Sequence, residues 1–155
     1  MEKQTALLVL DAAVAVKWFV PERDSPTALK LKDAHTSGNL SLFAPDLLTY
    51  EVANALRYRS SLTSKDLKAS IDSLFELDLI LVSPTAKSLS RTSFLARTLH
   101  LTIYDASYLE LAESLDCQVV TSDQPFLENV SKSNDTYSNK VIFLNDGSIR
   151  AYLGQ

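Results

Sequence analysis

Glycine, cysteine and histidine are the scarce residues of this chain, and each scarcity closes off a class of chemistry. Three glycines in 155 residues (Gly38, Gly147, Gly154) cannot be assembled into GxGxxG or GxxxxGK[ST], so the usual phosphate-cradling loops are absent. The one cysteine, Cys117, excludes an intramolecular disulfide and a cysteine-rich zinc centre. The two histidines, His35 and His100, stand too far apart for HExxH. No apolar run approaches the ~18 residues of a membrane span. The run after the polar Met1-Glu2-Lys3-Gln4 stops at Asp11, too short for a signal-peptide core, so a cytoplasmic location is expected. An excess of basic charge is lacking too: 15 Lys+Arg face 19 Asp+Glu, a formal net charge of −4. That balance argues against nucleic-acid binding by bulk charge, though not against local basic patches working with a metal. What remains is the ordinary composition of one soluble globular domain spanning residues 1–155, 46% hydrophobic and 22% charged. A chain this long buries roughly two-thirds of its unfolded surface and needs no staple. Its chemistry falls to carboxylates, hydroxyls and a hard metal.

Continuous apolar runs mark strands buried on both faces. They are Thr5 to Leu10, Leu40 to Ala44, Leu79 to Val82, Cys117 to Thr121 and Val141 to Leu144. Between them the spacing predicts helices over Ala12–Phe19, Ser25–Thr36, Leu47–Arg59, Ser64–Leu77, Pro84 to about His100, Asp105–Leu115 and Asp123–Val130. Pro45-Asp46 reads as a turn and N-cap, Ser131–Asn139 as a polar loop, and Asn145-Asp146-Gly147 as a turn. Strands alternating with helices predict an α/β fold, a three-layer α/β/α sandwich with a largely parallel central sheet. In such sheets, sites form at the carboxyl ends of the strands.

Four acids stand where that rule directs attention. Asp11 directly follows the first strand, and Asp123 follows CQVVT after Ser122. Glu51 lies one turn into a helix, beside the apolar stripe of Leu48, Val52 and Leu56. Asp105 starts a helix whose inner face is supplied by Tyr104, Tyr108, Leu109, Ala112 and Leu115. The structural reading of the three aspartates is helix N-capping, and that of Glu51 a solvated face. Caps side by side still crowd negative charge, at a cost unless a cation is shared. An oxygen-only cluster suits Mg²⁺ or Mn²⁺ rather than zinc or copper. The chemistry best served is phosphodiester hydrolysis, in which such ions polarise the phosphate, activate a water and stabilise the departing oxygen.

Three blocks carry a family resemblance: LVLDAAVAVKWFVPE (8–22), FAPDLLTYEVANAL (43–56) and LTIYDASYLELAESLDCQVVTSDQPF (101–126). In this order and spacing the chain resembles PIN-domain proteins, more closely the VapC-type toxins of VapBC toxin–antitoxin pairs. The resemblance implies a Mg²⁺- or Mn²⁺-dependent endoribonuclease that leaves a 5′-phosphate and acts on an RNA substrate. It also implies homodimerisation and inhibition by a small antitoxin protein inserting a segment at the acidic site. Asp11, Glu51, Asp105 and Asp123 match the family's four catalytic, metal-holding acids, and Thr121 or Ser122 its supporting hydroxyl. The chain departs from the pattern at Ala13, where the family often has Ser or Asn, and at Gln124, where a basic residue is frequent. The first departure removes a hydrogen bond behind the ligands, the second a phosphate contact.

Lys17, Arg57 and Arg59 are candidate contacts to RNA phosphates. Trp18 and Phe19 read as packing residues, Cys117 as a small apolar one, and His35 and His100 are given no role. The competing reading is a catalytically inactive PIN-like module that binds RNA or protein. An aspartyl-nucleophile phosphatase would need a second Asp two positions after the first, where Ala13 stands.

Overall fold

Five short strands, all parallel, form the centre of the molecule in the order β3-β2-β1-β4-β5: β1 (Ala6–Leu10), β2 (Leu40–Pro45), β3 (Ile80–Val82), β4 (Gln118–Thr121) and β5 (Val141–Phe143). The computed structural model describes residues 4–133 and 135–154. Helices α1 (Ala12–Val16), α2 (Ser25–Thr36), α3 (Leu47–Arg57) and α4 (Ser64–Glu76) carry the chain outward from β1 to β3. Helices α5 (Ala86–Leu99), α6 (Ile103–Ser114), α7 (Gln124–Ser133) and α8 (Asp135–Ser138) carry it back across to β4 and β5. Parallel crossovers are right-handed, so reversing the direction of travel puts the two sets of helices on opposite faces. The three-layer α/β/α sandwich expected from the sequence is the observed fold. Its interior is the doubly covered centre of the sheet: Leu8, Val9 and Leu10 of β1 and Val119 and Val120 of β4 are fully buried.

Several expectations need correcting. The third strand is not buried: β3 lies at the sheet edge, with Ile80 41% exposed, because β2 covers one side only. The first helix stops at Val16 rather than Phe19. Lys17, Trp18 and Phe19 close the turn with bonds to carbonyls three residues back, the tightened geometry of a helix end, and Pro21 prevents resumption. Asp46 stands at the start of α3 without capping it; its carboxylate instead accepts from the Ser83 hydroxyl at 2.8 Å. Ser131–Asn139, read as a loop, contains the end of α7 and all of α8, with Asn134 outside the described residues. The Tyr137 hydroxyl anchors this stretch by accepting from Arg91 at 2.7 Å. The expected turn at 145–147 opens a 3-10 helix, Gly147–Tyr152, capped by Asp146.

Candidate active site

The sheet order places β1 beside β4, where the chain leaves in opposite directions and opens a crevice above the carboxyl ends of the strands. Asp11 sits in that crevice. Its amide continues the ladder by donating to the Val120 carbonyl at 3.1 Å, and its side chain makes no cap bond to α1. Instead Oδ2 accepts from the Thr121 hydroxyl at 2.6 Å. Only 5% exposed, the carboxyl is pushed up to about 7 by burial, against the pull of Thr121 and with help from the charges of Glu51, Asp105 and Asp123.

The other three acids arrive on separate elements. Glu51, in the second turn of α3, accepts from the Tyr108 hydroxyl at 2.7 Å. Burial raises its carboxyl, Tyr108 opposes, and Asp105 raises it further. Asp105 is not the cap of α6. Thr102 is, accepting from the Asp105 amide at 3.0 Å, so the Asp105 carboxylate stands one turn in. That carboxyl is also raised, first by burial and then by Asp123. Asp123 does act as a cap, Oδ1 accepting from the Phe126 amide at 3.3 Å. Its own amide donates to the Thr121 hydroxyl oxygen at 2.9 Å, so one threonine links the first acid to the last. Ser122 lies half-buried between Thr121 and Asp123.

The charges of Glu51, Asp105 and Asp123 all bear on Asp11, that of Asp105 on Glu51 and that of Asp123 on Asp105. The four acids thus form one electrostatic unit drawn from the segment after β1, from α3, from α6 and from the segment after β4. Among the described residues, no three acids converge closely enough to form a ready-made cage for an ion. The PIN domain family matches residues 8–132, which include all four. The chain belongs to that family. Ribonuclease VapC3 of Pyrobaculum aerophilum is 30% identical over 125 residues, covering 78% of this chain and 92% of the relative. The crystal structure of PAE2754 from Pyrobaculum aerophilum shares the fold, with a TM-score of 0.66 at 21% identity, covering 98% of this chain and 100% of that one.

The cations of this PIN domain are placed differently from its acids. Lys17 is buried, its Nζ 2.6 Å from Glu22 and 3.9 Å from Asp24, and Arg59 reaches the other oxygen of Glu22 at 2.7 Å. These pairs hold the carboxylate of Glu22 below its ordinary range, the bond from Lys17 contributing most. Arg57 lies over the exposed ring of Tyr58 and donates to Asn54. Trp18 is a packing residue as expected, donating its indole N–H to the Ala28 carbonyl at 2.8 Å. Of the aromatics assigned to the inner face of α6, Tyr104 is exposed and Tyr108 fully buried. The sequence pattern marks Tyr108 only as a packing residue, whereas its hydroxyl also donates to Glu51. The available signal was chemical: a buried phenol needs an acceptor, and position 108 shares a helix face with Asp105.

Proposed function

We propose that this chain is an endoribonuclease that hydrolyses RNA phosphodiesters with Mg²⁺ or Mn²⁺ held by Asp11, Glu51, Asp105 and Asp123, and that it is the toxin of a toxin–antitoxin pair. One observation carries the reading: the four acids of the family pattern meet in a crevice at the switch point of the sheet, where the charges of Glu51, Asp105 and Asp123 all bear on the buried Asp11. The donor set fits a hard divalent ion, being oxygen-only and anionic. When bound, such ions supply Lewis-acid activation of water and neutralise charge on the phosphate. The chain's own residues supply the setting. Thr121 orients Asp11, and Tyr108 holds Glu51. With its carboxyl raised to about 7, Asp11 gives up a proton readily as positive charge approaches. Arg57 is the cation placed most freely for RNA phosphates, whereas Lys17 and Arg59 reach them only by leaving Glu22.

The relative's name, a VapC ribonuclease, supports both the substrate class and an antitoxin partner. A cationic segment of that partner would find its complement in the acidic crevice. Self-association has a candidate surface beside β3. There a groove of about 630 Å³ is bordered by the exposed Leu89, Ile103 and Tyr104. The same groove carries Lys87 and Glu110, neither in an ion pair among the described residues, and a charged patch is self-complementary across a two-fold only when it carries both signs. The sheet extends through β5, beyond the end of the family match, which favours one nuclease domain across the chain. No described helix is long and apolar enough to cross a membrane.

The test is cleavage of end-labelled RNA by the purified protein with Mn²⁺, with chelator, and with Asp11→Asn. Metal-dependent cleavage lost in the variant is the expected result; equal cleavage by both proteins overturns the assignment. The lack of a ready-made ion cage favours one competitor, an inactive RNA-binding module. RNA binding that persists without metal and without cleavage would establish it.

A further inference from the structure

The Tyr108 ring is fully buried, on a helix packed across β1, β2 and β4, so its hydroxyl cannot touch a nucleic acid in the crevice above. Yet that hydroxyl points at the acid cluster. It donates to Glu51 Oε1 at 2.7 Å, and the hydroxyl oxygen itself faces the backbone amide of Ala12, next to Asp11. A buried phenol can satisfy its O–H on any carbonyl. Here the acceptor is the acid with the longest side chain of the four, whose three rotatable bonds otherwise leave its carboxylate free to swing. We propose that Tyr108 is a positioning residue: its hydroxyl fixes Glu51 so that the remaining carboxylate oxygen faces the crevice and serves the divalent ion. The proposal rests on the metal-binding reading of the four acids, and it assigns the effect to one bond between α6 and α3.

A thermodynamic cycle tests it, read as Mn²⁺ affinity by calorimetry or electron paramagnetic resonance on wild type, Tyr108→Phe, Glu51→Ala and the double variant. Groups that orient a metal ligand typically contribute about tenfold or more to affinity. Tyr108→Phe should therefore bind Mn²⁺ about tenfold more weakly while its metal-free far-UV circular dichroism stays that of the wild type. In the Glu51→Ala background the same change should do nothing, because the carboxylate it positions is gone. Glu51→Asp gives a second route that leaves the core intact: one methylene shorter, it keeps the charge, loses the reach to Tyr108 and should lose affinity likewise. Wild-type affinity in Tyr108→Phe or Glu51→Asp, or an equal loss in both backgrounds, overturns the positioning role while the metal reading stands. No Mn²⁺ binding by the wild type overturns both.

Discussion

Asp11 binds its proton more tightly in the folded chain than in the unfolded one, and the sign of the consequence follows. Its carboxyl rises from 3.8 to about 7 on folding, chiefly through burial. Between those values the native state holds more protons, so stability falls as pH rises through the window and levels off above it. In metal-free buffer the melting temperature should therefore drop by several degrees between about pH 5 and pH 8. Asp11→Asn, which has no proton to lose, should flatten that profile; an unchanged profile would mean that another group governs it. The same proton competes with a cation, so Mn²⁺ affinity should grow about tenfold per pH unit below neutrality. Asp105 offers the simpler comparison. Burial and Asp123 raise its carboxyl, and Thr102 rather than Asp105 caps the helix. Asp105→Asn should then raise the melting temperature of the metal-free protein by removing repulsion without removing a cap. A fall would show that the carboxylate holds the helix end after all.

Helix ends decide where the acids stand. Thr102 captures the Asp105 amide and sets the first turn of α6, and replacing such a cap by alanine costs about 1 kcal/mol. Thr102→Ala should lower the unfolding free energy by about that amount, seen as a lower urea midpoint with m unchanged, and weaken Mn²⁺ binding as Asp105 loses its fixed starting point. Loss of stability alone would confine Thr102 to capping. These ends were also where the sequence was hardest to read. The α2 helix matches its expected span, Ser25–Thr36, because Pro26 and Gly38 bracket it. The sequence pattern puts the start of α6 two residues late, because Asp105 and Thr102 are both good caps and only the packing of the helix decides between them. The core strands were legible as apolar runs, but LILV carries no mark that β3 is an edge. The acids were legible from strand ends and family blocks. The bonds that organise them, from Thr121 and Tyr108, join residues 110 and 57 positions apart, which no local pattern encodes. His35, assigned no role, proves structural: Nδ1 accepts the Leu42 amide at 3.1 Å and Nε2 meets the Leu77 carbonyl at 3.0 Å, tying α2 to β2 and the end of α4.

For the molecule as a whole, the acidic balance changes meaning once the cluster is located. Setting its four acids aside leaves 15 Asp+Glu against 15 Lys+Arg, so the formal charge of −4 equals the charge of the crevice when all four are ionised. A neutral remainder does little to repel RNA, and the repulsion to be overcome sits at one place, where divalent cations would neutralise it. With ions held there, folding and ion binding would be coupled, since the unfolded chain scatters the four acids and binds ions weakly. A ligand at a hundred times its Kd stabilises the native state by about 2.7 kcal/mol, and each kcal/mol moves the melting temperature of a domain this size by about 3 °C. Saturating Mn²⁺ should raise it by about 8 °C at neutral pH. Monovalent salt of equal ionic strength should give less, because screening does not bridge carboxylates. Asp11→Asn should lose most of the Mn²⁺ gain, and equal gains in variant and wild type would place the ion elsewhere. Repeating the melt across protein concentrations separates the ion from self-association: only the latter makes the midpoint depend on chain concentration, and substitution of the exposed Ile103 and Tyr104 beside β3 should abolish that dependence while leaving the Mn²⁺ response in place.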